Sequence, residues 1–140
     1  MKTVYFFVVT IMLTAAGFTI QALTAKVEQN ETLNSTDKIE VYYFHFTSRC
    51  TTCRAVESVT RTILKETYPE RMKEGMLSFK ALNLDEPVNE QLADELHVSG
   101  QTLLFVKDGE KKDLTTDAFM YARSNPDKLK EKIIRTIDKL

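Results

Sequence analysis

The apolar positions between residues 39 and 140 follow two periods, and each switch of period marks an element. Ile39–Phe46 (IEVYYFHF) is β-branched and aromatic with almost no polar relief, the composition of a strand buried on both faces of a sheet. From Thr51 to Thr67 the period becomes helical, with Cys53, Val56, Ile63 and Leu64 on one side. Thr47 or Ser48 is the expected cap, and Pro69 and Gly75 bound the far end. Met76–Leu84 (MLSFKALNL) puts Leu77, Phe79 and Ala81 on one face and reads as a second strand, parallel to the first because a helix separates them. Asp85-Glu86-Pro87 opens a short helix, Val88–Leu96, with Leu92, Ala93 and Leu96 inward. Thr102–Val106 is a third strand, and Lys107-Asp108-Gly109-Glu110 is a hairpin turn, so residues near Lys111–Leu114 form an antiparallel fourth. A short helix around Asp117–Ala122 follows, then a longer one after Asn125-Pro126 with Leu129, Ile133, Ile134, Ile137 and Leu140 on one stripe. The order βα-βα-ββα predicts an α/β domain built on a four-stranded mixed sheet with helices on both faces.

The preceding residues are patterned differently. Residues 1–25 carry one charge, Lys2, and an apolar run from Val4 to Ile20, with small residues at Ala15, Ala16, Gly17, Ala22 and Ala25. This order matches a secretory signal peptide; an uncleaved anchor is the alternative. Residues 26–38 (KVEQNETLNSTDK) are polar and aperiodic, which reads as a linker. The expected organisation is therefore a signal peptide over 1–25, a linker over 26–38 and one domain over 39–140. The protein is expected to be exported, periplasmic or extracellular, with no membrane contact in the mature form unless the signal stays as an N-terminal anchor.

Charge narrows the partners little. The 140 residues hold 19 Lys and Arg against 20 Asp and Glu, a net charge of −1, which gives no reason to expect nucleic acid. The cysteines are more informative. Cys50 and Cys53 are the only two, three apart, where the first strand gives way to the first helix. On a helix this spacing puts both sulfurs on one face, close enough for a small disulfide ring. Such a ring constrains almost no loop in the unfolded chain, so redox chemistry explains the pair better than stapling does. Cys50 would face the unpaired N–H groups at the positive helix end, and Arg49 and Arg54 add positive charge, so its thiol pKa should fall.

Cys50-Thr51-Thr52-Cys53 after a buried strand, together with Val98–Glu110 (VSGQTLLFVKDGE), resembles the thioredoxin-like superfamily over residues 38–140. More narrowly, Tyr42–Cys53 (YYFHFTSRCTTC), Gly100–Leu103 (GQTL) and Ala118–Arg123 (AFMYAR) are similar to a small bacterial ArsF-type family named for a subunit of a nitrophenyl compound nitroreductase. The resemblance implies a thioredoxin-like fold, with Cys50 as the attacking sulfur and Cys53 as the resolving one. It also implies Gly100, Gln101 and Thr102 as a substrate-docking loop, protein thiols or disulfides as partners, and no cofactor. No glycine-rich dinucleotide fingerprint occurs in the chain. Two positions depart from the superfamily pattern. Gln101 stands where relatives carry a cis-proline, and its bond should be trans, because a cis non-proline bond costs about 3 kcal/mol. Phe44 stands six residues before Cys50, where relatives bury an acid, leaving Glu57 or His45 to carry the proton.

Other readings of the same pair stay open: an inert closed ring, a Cu(I) or Zn(II) module completed by a histidine, or a non-catalytic subunit of a larger complex. His45 reads as a core residue bonded to backbone, and His97 as a surface residue at a helix end.

Overall fold

The computed structural model describes residues 37–140; the expected signal peptide and all but the last two residues of the linker lie outside them. The elements run β1 (Ile39–His45), α1 (Thr51–Thr67), α2 (Pro69–Lys73), β2 (Leu77–Asn83), a single 3₁₀ turn (Pro87–Asn89), α3 (Glu90–Leu96), β3 (Thr102–Lys107), β4 (Glu110–Asp113), α4 (Thr115–Tyr121) and α5 (Pro126–Ile137). No helix among them is long and apolar enough to cross a membrane.

The four strands lie in the order β2-β1-β3-β4. β1 pairs parallel with β2, from Ile39 opposite Leu77 to His45 opposite Asn83. On its other edge β1 runs antiparallel to β3, with Val41 opposite Phe105 and Phe44 opposite Thr102. Because side chains alternate along a strand, this register deals the aromatic run of β1 to two cores. Ile39, Val41 and Tyr43 join Leu77, Leu103 and Phe105 beneath α1, α4 and α5. Tyr42 and Phe44 face the other way, onto Ala93 of α3 with Leu82, Leu92 and Leu96. Helices therefore cover both faces of the sheet, and each fully buried large apolar side chain contributes roughly 1.5–3 kcal/mol against the cost of ordering the chain.

The turns account for the topology. Asp108 (φ 50°) and Gly109 (φ 84°) both take left-handed backbone, which reverses the chain with the twist of the flanking strands and pairs β4 against β3. Asn125 caps α5 by accepting from the Lys128 N–H at 3.1 Å, and Pro126 supplies the first helical position. Leu129, Ile133 and Ile137 then form the buried stripe. Ala118 in α4 and Ala122 just after it are buried and Phe119 and Tyr121 pack on the same core, while Met120 stays 55% exposed.

Three local expectations change. Pro69 begins α2 instead of only ending α1, because proline is well accommodated at a first helical position. The helix expected from Val88 starts as a 3₁₀ turn and becomes α-helical at Glu90. Neither Thr47 nor Ser48 caps α1; Cys50 does so itself.

Candidate functional site

The site forms where β1 hands over to α1. Between them, residues 46–50 are tied to the end of β2: the Leu84 N–H donates to the His45 carbonyl (2.7 Å), the Thr47 N–H to an Asp85 carboxylate oxygen (2.7 Å), and Asn83 Nδ2 to Thr47 Oγ1 (2.9 Å). Thr47 is therefore a loop anchor, and the N–H bond it gives Asp85 holds that carboxyl below its usual range. These ties set the angle at which the chain enters α1.

Cys50 is extended (φ −73°, ψ 167°), as an N-cap must be. Its sulfur accepts from the Cys53 N–H at 3.1 Å, and the Cys53 sulfur accepts from the Cys50 N–H at 3.2 Å. The two residues thus satisfy each other's orphan donors as a capping box does, with sulfur in place of oxygen. They are joined as a disulfide, with Cα atoms 5.1 Å apart. Cys50 is exposed, whereas Cys53 is 2% exposed. One sulfur can be reached by a partner and the other cannot.

With this pair at the carboxyl end of β1, in a β2-β1-β3-β4 sheet covered on both faces, the architecture can be assigned. The fold is thioredoxin-like.

No protein-family model matches the chain, and no curated protein sequence does. Solved structures are similar to it. Thioredoxin from Fasciola hepatica is 25% identical over 71% of this chain and 81% of its own, with a TM-score of 0.47. Thioredoxin O2 from Arabidopsis thaliana in the oxidized state is 28% identical over 54% of this chain, which spans 60% of the plant protein, with a TM-score of 0.42. The germline-specific thioredoxin Deadhead of Drosophila melanogaster is 21% identical, with a TM-score of 0.46. These are likenesses only. The thioredoxin-like assignment rests on strand order, on strand direction and on the position of the cysteines.

The flanking arginines have partners of their own. Arg54 Nη1 donates to the Arg49 carbonyl at 2.8 Å, bracketing the residue before Cys50. The Arg49 guanidinium pairs with Glu57 and lies over the Tyr43 ring, 5.7 Å from its centroid. Glu57 also takes Arg61 Nη2 at 2.7 Å. Burial by itself would raise the Glu57 pKa, but hydrogen bonds and charge from the two arginines outweigh it and hold the carboxyl below its ordinary value. A carboxylate held in this way is a poor proton carrier near neutral pH. His45, half-buried, is bonded through Nδ1 to the Phe46 carbonyl at 2.9 Å.

Counting six residues back from Cys50 reaches Phe44, but that side chain belongs to the α3 face. The residue beneath the start of α1 is its neighbour Tyr43, fully buried, whose hydroxyl donates to the Cys53 carbonyl at 3.0 Å. Burial pushes the Tyr43 phenol up, so it stays a neutral donor. Strand alternation from Val41 would have placed Tyr43 on this face. The Glu57–Arg61 pair was likewise visible as an i,i+4 spacing.

Gly100, Gln101 and Thr102 lead into β3, and the pairing of Thr102 with Phe44 brings them to the sheet end from which the chain runs on to Cys50. Thr102 Oγ1 donates to the Gly100 carbonyl at 3.0 Å. Gln101 is half-buried and its Oε1 lacks a hydrogen-bond partner among the described residues. All peptide bonds described are trans, including that before Gln101. His97 is exposed at the end of α3 in a left-handed conformation (φ 60°). No cluster of three or more His, Cys, Asp or Glu side chains occurs among the described residues, so no histidine is assembled with the sulfurs as a ligand set.

Proposed function

We propose that this domain exchanges thiols and disulfides with other proteins through Cys50 and Cys53, after export to the periplasm or the cell exterior. From the oxidised form, a substrate thiolate attacks the Cys50 sulfur. The Cys50–Cys53 bond breaks, its electron pair leaves on the Cys53 sulfur, and a mixed disulfide forms on Cys50. A second substrate thiolate then attacks the substrate sulfur of that bond, closing a substrate disulfide and releasing Cys50 as a thiolate. The two protein thiolates take protons from solvent; two substrate thiols have been oxidised and the pair has gained two electrons. Run backwards, the same steps reduce a substrate disulfide.

The contrast between the two sulfurs carries this reading. Cys50 is exposed at a helix start, and the leaving sulfur of Cys53 is buried with the Cys50 N–H already 3.2 Å away to receive its charge. Gly100, Gln101 and Thr102 are assigned to docking of the substrate chain, and Arg49 and Arg54 to lowering the thiol pKa. The narrower ArsF-type resemblance fits the same proposal, with the domain as a small exported component of a larger complex.

Equilibration of the pair with a glutathione redox buffer tests it. A reversible two-electron transition is expected, with exchange abolished in Cys50→Ser and a stable mixed disulfide trapped in Cys53→Ser. A pair that never equilibrates, or a Cys50→Ser protein that still exchanges, would falsify the assignment.

A further inference from the structure

We propose that Glu57, held between Arg49 and Arg61, sets the redox poise of the cysteine pair by offsetting the positive charge that Arg49 brings to the start of α1. The inference rests on the exchange reading above and adds what tunes it.

Arg49 immediately precedes Cys50, and its side chain is only 20% exposed. Glu57 is four residues beyond Cys53, one helical turn along the same face, and 21% exposed. It binds Arg49 with one oxygen and Arg61 with the other. The cluster therefore sums to one positive charge, two guanidiniums against one carboxylate. Partial burial keeps these charges from being fully screened. The other polar groups near the cysteine turn are Arg54 on the solvent side, the neutral Tyr43 hydroxyl beneath it, and His45 at the end of β1 and Asp85 after β2, which bond to Phe46 and Thr47 of the entry loop.

A thiolate on either sulfur is favoured by each nearby cation and disfavoured by each nearby anion, whereas the disulfide is neutral and indifferent. Neutralising Glu57 leaves two uncompensated guanidiniums and stabilises the dithiolate side of the equilibrium. Neutralising Arg49 does the reverse. No hydrogen bond joins Arg49 or Glu57 to a sulfur, so both are positioning residues that act through the field at the pair. The opposite sign of the two effects separates this role from a structural one, because loss of a merely structural ion pair acts alike whichever partner is removed.

The test uses the full chain, chemically reduced. The Cys50 pKa is read from the pH dependence of alkylation by iodoacetamide, and the equilibrium constant from a glutathione buffer. Glu57→Gln is expected to lower the Cys50 pKa and shift the equilibrium toward the dithiol by roughly three- to ten-fold, tenfold being about 30 mV. Arg49→Gln is expected to move both quantities the other way. The double variant restores the net charge and should return within about twofold of the wild type, and all shifts should shrink at high salt. Arg49→Lys keeps the charge and the wild-type pKa, which also covers an Arg49→Gln protein too unstable to assay. Shifts of the same sign in both single variants, or none in either, overturn the proposal. A wild-type protein that does not equilibrate with glutathione defeats the exchange reading, while the order of alkylation pKa values still decides the role of Glu57.

Discussion

Phe44 and Tyr43 are chain neighbours that serve opposite faces of the sheet, and that difference decides what each can do for the cysteines. An acid introduced at the counted position would not reach Cys53. Phe44→Asp would bury a carboxylate among the apolar side chains of Tyr42, Ala93 and Leu82, and is expected to cost more than about 3 kcal/mol in urea unfolding without altering the thiol pKa of a protein that still folds. Glu57 makes a different prediction. Its folded pKa lies below the ordinary 4.5, so its pairing with Arg49 and Arg61 contributes stability in full above that value and loses it as pH falls through the lowered folded pKa. Acid titration of the wild type and Glu57→Gln should therefore show the two stabilities converging below about pH 4.5. A constant gap down to pH 2 would contradict this. At the residue scale the closeness of the two cysteines was legible from spacing. The Tyr43 hydroxyl and the commitment of Arg49 to Glu57 were not, because each depends on which side chains share one face of a packed strand and helix.

Within elements, α1 carries the clearest local test. Thr60 is fully buried among its apolar residues, and its hydroxyl has no hydrogen-bond partner among the described residues. Thr60→Val keeps the branched shape and removes an unpartnered polar atom, so thermal and urea unfolding should show a gain of about 0.5–1 kcal/mol. A loss would mean that the hydroxyl is satisfied in solution. The cap of α1 shows where element boundaries escape a sequence reading. Thr47 and Ser48 have the right chemistry, but the bonds to Asp85 and Asn83 pull Thr47 toward β2, and the helix begins only where Cys50 turns extended. The 3–4 hairpin and the Asn125-Pro126 start of α5 were legible because turn and cap chemistry there is local.

For the whole molecule, two cores on opposite faces of one sheet make the central strands the least tolerant part. Phe105 lies fully buried in the larger core, and Phe105→Ala should cost about 3–5 kcal/mol, whereas Val88→Ala, at an 80% exposed position, should stay within about 0.5 kcal/mol. Comparable losses for the two would show that the packing described is wrong. The order of elements, the parallel β1–β2 pair and the antiparallel hairpin followed from period, connection length and the Asp-Gly turn, all of which are properties of neighbouring residues. The amino-acid sequence by itself also determined that two sulfurs three apart would meet at a strand-to-helix junction, since helical geometry leaves them little else. Tertiary structure alone decided that the sulfurs themselves cap the helix and that a carboxylate in mid-helix holds the arginine before Cys50. Those outcomes depend on charges and faces brought together by the folded sheet and helix, and periodicity along a chain carries no record of them.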